Sequence, residues 1–526
     1  MQTFCISTLG CKVNQYESEQ IASLLRSRGL RQVEHPDGAD LRIVNTCSVT
    51  IQAASKSRQT VRRTVSLPIL SVGGHGQLGT VAHATQVPDQ SNSPRTIVTG
   101  CWATGDAEAA SKIPGVSAVI THHDNVAERL NELLELWRSE NLHPPDTNTR
   151  MMADRNVRPT SHETSPEPVG DEGWIIQAGT SASAFSASNK PHASMLVNGK
   201  VARKHSNLVG TSTLPLLHEH QVSHQRGFLK IQDGCDAHCT YCIIPQLRPR
   251  LWSKPVEDVI EEAKALVDAG HGEIILSGIF LSAYGEATAL RRRQTSGKSA
   301  LGELIERLCG EVPGLLRVRL SSLEPGDLDE ELISVLRDHE QVVPHFHLPL
   351  QSGSDALLRR MNRQYGRDDY MRMIDRLHEA YDRPALTTDV IVGFPGEGDC
   401  EFGHTLKVVE YAKFIHIHAF SFSPRPGTAA ARWKDDFVRG PVVNERIERL
   451  NEMAAGYSLA FRQSFVGETE NLLVERRGEG EPMQHGRCER YFPVYFDSER
   501  DLTGQSVAVR IERVNQKRTF GTLIHP

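Results

Sequence analysis

The chain has 526 residues, 39% of them hydrophobic and 24% charged, with a formal net charge of −6. This length predicts about three to four domains. The acidic balance argues against a generally basic nucleic-acid-binding protein, and no apolar run approaches the roughly 18 residues that a membrane span needs. The N-terminal residues lack a basic segment followed by an apolar one, so no secretory signal is predicted. We therefore expect a cytoplasmic protein whose thiols stay reduced.

Strands and helices alternate through an N-terminal α/β domain, residues 1–138, which favours a parallel sheet. The predicted strands are 3–8, 41–45 and 96–99, and the predicted helices are 16–28 and 125–137. Two polar segments, 67–94 and 139–226, are predicted to be insertions or linkers, the second largely disordered. The second carries seven histidines that are conceivable metal ligands but fit scattered polar residues better: His143, His162, His192, His205, His218, His220 and His224.

A regular series of strand and helix units follows over residues 227–440. The six predicted strands are 228–232, 273–277, 316–320, 345–348, 386–392 and 414–420. Helical spacing links each strand to the next, at 256–267, 301–308, 327–337, 354–362, 368–380 and 400–411. Six such units predict an open or partial (β/α)6 barrel, short of the eight units of a complete barrel.

The last region, residues 441–526, is predicted to contain a linker helix and a small antiparallel β-barrel. Short alternating runs at 471–474, 491–496, 506–511 and 519–524 are separated by glycines. Barrels of this kind bind single-stranded RNA or RNA loops, although a barrel of balanced charge could equally dock a protein. The expected fold class is therefore α/β, with a parallel-sheet domain, a partial barrel and a small C-terminal β-barrel.

Three of the ten cysteines lie together in a C-x3-C-x2-C loop, Cys235, Cys239 and Cys242, after the first strand of the partial barrel. Thiolates are soft ligands suited to iron–sulfur clusters, and three of them leave one iron of a four-iron cluster open. The C-terminal ends of barrel strands are where active sites lie. The alternative is a zinc site with His238 as a fourth ligand, at an awkward spacing.

This loop on a partial barrel resembles the radical S-adenosylmethionine enzymes, and the wider chain resembles their methylthiotransferase branch. The stretches that carry the likeness are 8–14, 44–47, 99–101, 239–245, 320–325, 347–353 and 388–397. The C-terminal tail is similar to the TRAM domain of that family. The resemblance implies two four-iron clusters, S-adenosylmethionine, a tRNA anticodon stem-loop as partner, and a reductant such as flavodoxin or ferredoxin.

The resemblance also assigns roles to the cysteines outside the loop. It implies that Cys11, Cys47 and Cys101 hold the second, auxiliary cluster. Without it, they would pass for unrelated buried cysteines. The remaining four are predicted to be structural: Cys5, Cys309, Cys400 and Cys488.

The implied chemistry uses S-adenosylmethionine twice. One molecule, bound at the loop cluster, yields a 5′-deoxyadenosyl radical; a second methylates a sulfur carried by the auxiliary cluster. The methylthio group then replaces a hydrogen on the substrate, and the protein orients the reactants and excludes water.

The likeness suggests further contacts around the barrel mouth. Tyr241 is expected to stack on the adenine of the cofactor. The remaining residues expected at the cofactor follow successive strands, although each alone would pass for an ordinary loop residue: Ser277, Gly278, Ser322, Glu324 and Gln351. Three basic residues are candidate RNA phosphate contacts or members of a solvated loop: Arg248, Arg250 and Lys254.

The chain departs from the family in one segment, where Arg-Gly-x-Glu-x-Ser is the common pattern. Residues 248–253 read Arg-Pro-Arg-Leu-Trp-Ser. Pro249 fixes a backbone angle that glycine would leave free, and Leu251 replaces a carboxylate. The cysteine ligands are unaffected.

The segments 10–18 and 100–104 are similar to the branch that acts on threonylcarbamoyladenosine, the MtaB type. The expected reaction adds a methylthio group to C2 of N6-threonylcarbamoyladenosine beside the tRNA anticodon. Isopentenyladenosine in tRNA and an aspartate of a ribosomal protein are the alternative substrates. A non-catalytic RNA-binding protein that retains the fold is the alternative outside the enzymes, and the intact cysteine loop argues against it.

Overall fold

In the computed structural model of the chain, the structure describes residues 1–68, 94–142, 214, 216–217, 225–290, 299–478 and 480–524. The predicted insertions at 67–94 and 139–226 fall almost wholly outside these residues, as do all seven histidines of the second. None of the helices in the described part is long and apolar enough to cross a membrane.

The N-terminal domain is built on a five-stranded parallel sheet of order β2-β1-β3-β4-β5. Its elements are β1 (Thr3–Thr8), α1 (Lys12–Ser27), β2 (Arg31–Gln32), β3 (Leu41–Thr46), α2 (Ile51–Ser66), β4 (Arg95–Gly100), α3 (Cys101–Gly105), α4 (Ala107–Ser111), β5 (Ala118–Val119) and α5 (Val126–Leu142). Strand β3 is buried along its whole length, as its central position requires. The predicted parallel-sheet domain is confirmed.

The middle of the chain forms six parallel strands, each connected to the next through helix. Its elements are β6 (Arg226–Lys230), β7 (Gln232–Asp233), α6 (Ile244–Leu247), β8 (Trp252–Ser253), α7 (Val256–Asp268), β9 (Glu273–Ser277), α8 (Ala300–Glu311), β10 (Arg317–Leu320), α9 (Glu330–Asp338), β11 (His345–His347), α10 (Asp355–Arg360), α11 (Arg367–Ala380), β12 (Ala385–Val392), α12 (Asp399–Ala412) and β13 (His416–Ser421). The short β7 and β8 form a separate antiparallel pair.

The six strands form two parallel three-stranded sheets, β6-β9-β10 and β11-β12-β13. Two isolated bridges, Val318 to Val342 and Ser322 to His347, join the halves β6-β9-β10 and β11-β12-β13. Among the described strands, β6 and β13 each lack a second partner, so the barrel is open on one side. Helix α1 of the N-terminal domain packs against β6 at this opening. The predicted partial (β/α)6 barrel is confirmed.

A long helix leads into a closed five-stranded barrel of order β14-β15-β16-β18-β17. Its elements are α13 (Gly440–Gln463), β14 (Thr469–Glu475), β15 (Gln484–Cys488), β16 (Pro493–Phe496), β17 (Ser506–Val514) and β18 (Thr519–Leu523). Four strands were predicted, and β15 was missed. The pairing that closes the barrel, β16 with β18, is parallel, while the other four are antiparallel.

Candidate functional site

The cysteine loop 235–242 begins directly after β7, at the C-terminal end of the first barrel strand. Gly234 has φ +78°, and a Cβ atom there would lie 1.8 Å from the carbonyl oxygen of Arg250. Only glycine fits this position. The loop is fastened further along, because Thr240 donates to the carbonyl of Met361 at 3.1 Å and accepts from the amide of Ala430 at 2.9 Å.

The three thiols of the loop share one small environment. Cys235 is buried, while Cys239 and Cys242 are half-buried. Burial, together with the neighbouring thiols, raises the pKa of Cys235 and of Cys242 to about 12. Arg363, from the segment after α10, donates to Cys239 Sγ at 3.3 Å and forms an ion pair with Glu324. A cationic donor at this place suits a thiolate that carries negative charge.

The spacing of the cysteines bears on the zinc alternative. Around one tetrahedral zinc ion, thiolate sulfurs lie about 3.8 Å apart, as Zn–S bonds of about 2.3 Å require. The three sulfurs of the loop are not all within 4.8 Å of one another. Among the described residues, the one group of three or more metal-ligating side chains that meets this distance is His347, Asp389 and His418. His238 is exposed, on a backbone with φ +50°. The loop therefore fits a larger four-iron cluster better than one zinc ion.

The three N-terminal cysteines come together at one edge of the parallel sheet. Cys47 and Cys101 directly follow β3 and β4, and Cys11 lies three residues after the end of β1; the three strands are neighbours in the sheet. Gly10 allows a close approach, since a Cβ atom there would lie 2.9 Å from the Cβ of Cys47. Burial raises the pKa of Cys101 to about 12, with Cys11 and Cys47 adding to the shift. This convergent set of soft donors fits a second cluster bound by three thiolates.

The two cysteine sites lie beside each other. Cys101 packs against Ile243 and Leu247, which follow the C-x3-C-x2-C loop. The segment after β13 reaches both sites: Ser423 accepts from the amide of Ile51 at 2.9 Å and the charge of Arg425 acts on Cys47, while the amide of Ala430 donates to the carbonyl of Thr240 in the loop at 2.9 Å. Sequence reasoning missed this segment, which has no metal-ligating residue type.

A buried ion-pair network joins the N-terminal domain to the barrel. Glu17 of α1 accepts from Lys230 at 2.9 Å and from Arg248 at 2.8 and 2.9 Å, and Asp233 accepts from the same two cations. Although burial opposes ionisation, Arg248 and Lys230 hold the pKa of Glu17 well below its usual range and that of Asp233 at about 2. His122 also contacts Arg248, at 2.6 Å.

Burial and internal ion pairs correct two of the predicted RNA contacts. Arg248 is only 5% exposed and is committed to Glu17 and Asp233. Lys254 is 3% exposed and pairs with Glu262 and the hydroxyl of Tyr16. Neither side chain can reach a phosphate in solvent. Arg250 is exposed and stays a prediction.

The residues predicted to contact the cofactor surround the cysteine loop. Tyr241 packs edge-on against Phe394 at 6.3 Å and accepts from Arg363 at 3.4 Å. Ser277 is buried and donates to the carbonyl of Leu229 at 3.4 Å, so its hydroxyl is already committed.

The others follow their strands as expected. Gly278 packs on Gln232, and Ser322 is exposed. Glu324 forms an ion pair with Arg363. Gln351 forms an isolated β-bridge with Val390, and its own φ is +62°. Their roles toward the cofactor stay predictions.

The departure from the family pattern has a visible consequence. Leu251 packs in the apolar cluster that contains Cys235 and Cys239, together with Ile279 and Phe280. The apolar side chain therefore lies under the cysteine loop, where it excludes water. Pro249 is exposed.

Sequence reasoning missed a polar face inside the open barrel. In-register partners share a face of the sheet, and Thr387 pairs with His416, Asp389 with His418 and Ile391 with Phe420. The opposite face, which includes Leu386, Val390 and Ile417, packs into the main core. The inner face, which we call the barrel chamber, presents these side chains: His345, His347, Thr387, Asp389, His416, His418 and Phe420.

The barrel chamber reaches both cysteine sites. Ile391, two residues after Asp389 on the same face of β12, packs in the cluster that contains Tyr241 of the cysteine loop. From the other side, the charge of Lys12, next to Cys11, lowers the pKa values of His345 and His418, in both of which burial is the largest cause. The rings of His418 and Phe420 stack at 6.1 Å and 17°, and Phe420 is 45% exposed.

Comparisons with known proteins agree with this arrangement. The chain matches the models of the uncharacterized protein family UPF0004 over residues 3–121, the radical SAM superfamily over 229–409, and the TRAM domain over 463–524. Over 527 residues it is 31% identical to the threonylcarbamoyladenosine tRNA methylthiotransferase MtaB of Bacillus subtilis (strain 168), covering 100% of this chain and 97% of the relative.

A second relative carries a different substrate in its name. The chain is 30% identical to the tRNA-2-methylthio-N(6)-dimethylallyladenosine synthase of Maricaulis maris (strain MCS10), covering 98% of this chain and 96% of the relative. Among solved structures, it is similar to the radical S-adenosylmethionine methyltransferase TsrM of Kitasatospora setae, with 12% identity and a TM-score of 0.49, covering 82% of this chain and 74% of that one.

Proposed function

The chain belongs to the radical S-adenosylmethionine methylthiotransferases, and from that membership we propose that it adds a methylthio group to C2 of N6-threonylcarbamoyladenosine beside the anticodon of tRNA. The observation that carries this choice of substrate is the polar barrel chamber between the two cysteine sites. Both tRNA-modifying relatives match this chain over nearly its whole length, and the C-terminal barrel matches the TRAM domain.

The two cysteine sites divide the work. When bound, the clusters and S-adenosylmethionine supply the electron, the radical and the sulfur chemistry. In our proposal, Cys235, Cys239 and Cys242 hold the first cluster at the mouth of the barrel. Cys11, Cys47 and Cys101 hold the auxiliary cluster at the edge of the N-terminal sheet. A substrate nucleoside in the chamber would contact both, which orients its C2 position.

The lining of the chamber favours the threonylcarbamoyl group over an isopentenyl group. The threonylcarbamoyl group carries a ureido linkage, a hydroxyl and a carboxylate, whereas the isopentenyl chain is apolar. An apolar chain against Asp389, His347 and His418 would shield these partly exposed polar side chains from water and offer them no further hydrogen bonds, which costs free energy. The exposed stack of His418 and Phe420 offers a surface on which the purine can stack.

The partners follow from the same proposal. The C-terminal barrel and the exposed Arg250 contact the anticodon stem-loop. A reductant such as flavodoxin or ferredoxin would supply the electron for a cluster held by Cys235, Cys239 and Cys242.

Nucleoside analysis of tRNA from a deletion strain tests the proposal, with ribosomal-protein masses measured in parallel. We expect the 2-methylthio form of threonylcarbamoyladenosine to disappear and its unmodified precursor to accumulate. Loss of the 2-methylthio form of isopentenyladenosine instead would assign the substrate of the Maricaulis maris relative. A mass change in a ribosomal protein would assign that alternative, and no change in either would favour the non-catalytic RNA-binding protein.

A further inference from the structure

We propose that Lys12 is the residue that binds the carboxylate of the threonylcarbamoyl group, and that Asp389, His347 and His418 bind its ureido and hydroxyl groups. This inference rests on the proposed function and names the residues that would distinguish its substrate from isopentenyladenosine.

Lys12 is placed at the meeting point of the two halves of the site. It follows Cys11 and is the first residue of α1, the helix that packs against β6 at the open side of the barrel. In both His345 of β11 and His418 of β13 burial is the largest cause of a lowered pKa, and the charge of Lys12 lowers it further, so Lys12 lies within electrostatic range of these two chamber strands. Burial lowers the pKa of Lys12 itself, Arg319 and Arg226 lower it further, and Tyr491 and Glu273 raise it.

Lys12 differs from the other cations around the chamber in forming no ion pair, although Tyr491 and Glu273 act on its charge from a longer distance. Arg319 pairs with Glu273 at 2.9 Å, and Arg226 pairs with Glu475 at 2.8 Å and donates to Tyr491 at 2.6 Å. Within the described part of the chain, the ammonium of Lys12 forms no hydrogen bond and no ion pair. A half-buried cation without a partner is costly, and a carboxylate from the substrate would supply one.

The trio on the opposite wall fixes the orientation of the group. One ligand atom each from His347, Asp389 and His418 lies within 4.8 Å of the other two. Each imidazole ring is held in place through its Nδ1 atom: His347 Nδ1 lies 3.0 Å from Thr387 Oγ1, and His418 Nδ1 lies 3.2 Å from His416 Nε2. Asp389 would repel a carboxylate but accept from ureido N–H groups and the hydroxyl. The substrate carboxylate is therefore directed to Lys12.

The test uses the full-length reconstituted protein with two anticodon stem-loops. One carries threonylcarbamoyladenosine, and the other carries the same nucleoside with its carboxylate converted to a neutral carboxamide. Wild type is compared with Lys12→Met, with Lys12→Arg, and with Lys407→Met, a matched control on the exposed face of α12. The readouts are KM and kcat of methylthiolation, iron content, and 5′-deoxyadenosine formed without RNA.

We expect wild type and Lys407→Met to prefer the carboxylate by about 10- to 100-fold in kcat/KM, the range of a charge-assisted hydrogen bond. Lys12→Met should lose this preference, mainly through KM, with its iron content and RNA-free cofactor cleavage unchanged. Lys12→Arg should keep most of it.

A Lys12→Met protein that still prefers the carboxylate as strongly as wild type would overturn the inference. If Lys12→Met loses iron, the iron-replete Lys12→Arg variant decides. It keeps the positive charge, so loss of its preference for the carboxylate stem-loop would also contradict the inference. Failure of the proposed function has a separate signature. Wild type would then modify neither the carboxylate nor the carboxamide stem-loop, but it would modify a stem-loop that carries isopentenyladenosine.

Discussion

Gly234 and Arg363 show how single residues shape the cysteine loop. Gly234 makes room for the carbonyl of Arg250, and Arg363 places its positively charged guanidinium beside the sulfur of Cys239. The sequence identified the cysteines, since thiolate ligands depend on residue type and spacing. It could not identify Arg363, Lys12 or His418, because their neighbours are distant in the chain.

Replacing Gly234 by alanine tests the fit of the loop. The added Cβ would lie 1.8 Å from the carbonyl oxygen of Arg250, so the loop must move. We expect Gly234→Ala to lose most of the iron of the first cluster after anaerobic reconstitution, measured as iron per chain. Gly270→Ala is the matched control, because Gly270 has φ +94° but nothing within 4 Å of the added Cβ. Equal iron loss in both would show that positive φ, and not the contact, is decisive.

Replacing Arg363 by glutamine tests the electrostatics of the first cluster. Hydrogen bonds to cluster sulfurs raise the reduction potential, so Arg363→Gln should lower it and slow the formation of 5′-deoxyadenosine. A redox titration followed by electron paramagnetic resonance measures the first effect. Arg367→Gln, at a solvent-accessible side chain that starts α11, is the control. An unchanged potential in Arg363→Gln would contradict this account of the loop.

At the scale of elements, apolar runs predicted the strands of the sheet and of the partial barrel well. Strand β15 was missed because Gln484–Cys488 has no alternation of apolar side chains, although its residues 484, 486 and 488 are buried. The predicted start of helix α1 at residue 16 was late, because α1 begins at Lys12. The inner faces of β11–β13 were not predicted, since their histidines are unremarkable until three strands lie side by side.

The ion pairs between α1 and the barrel predict a specific dependence on pH. The pKa values of Glu17 and Asp233 are depressed in the folded protein. Their contribution to stability is therefore fully present above the unfolded-state pKa of about 4 and is lost as the pH falls toward about 2. Thermal unfolding as a function of pH should show this loss.

Glu17→Gln should be strongly destabilised at neutral pH, by about 3–5 kcal/mol, because it leaves buried Arg248 and Lys230 undercompensated. It should also lose less stability on acidification than wild type. Glu19→Gln, on the same helix and paired only with partly exposed Arg26, should cost about 0–1 kcal/mol. Comparable losses in the two variants would refute the structural importance of the network.

At the scale of the whole molecule, the C-terminal barrel inserts one side chain into the base of the partial barrel. Tyr491 accepts from Arg226 at 2.6 Å, and its ring lies 4.6 Å from Arg319 and 5.0 Å from His345. The sequence predicted both barrels, but the contact between them joins residues more than 100 positions apart.

Tyr491→Phe should weaken this contact, since it removes one of the two acceptors of half-buried Arg226 and leaves only Glu475. We expect a lower unfolding temperature and earlier proteolysis between the two barrels. Tyr495→Phe is the control, because it removes a hydroxyl from a half-buried tyrosine of the same barrel whose ring packs against His485 and Arg518 and not against Arg226 or Arg319. If Tyr491→Phe matches wild type in both assays, the contact does not hold the barrels together.

The account as a whole depends on two clusters, one at each cysteine trio. Iron and acid-labile sulfide per chain, measured after anaerobic reconstitution, test this most directly. Wild type should hold about eight irons, and alanine replacement of either trio, Cys235/Cys239/Cys242 or Cys11/Cys47/Cys101, should leave about four. About four irons in wild type, unaffected by replacement of Cys11, Cys47 and Cys101, would contradict the auxiliary cluster and with it the methylthiolation proposed here.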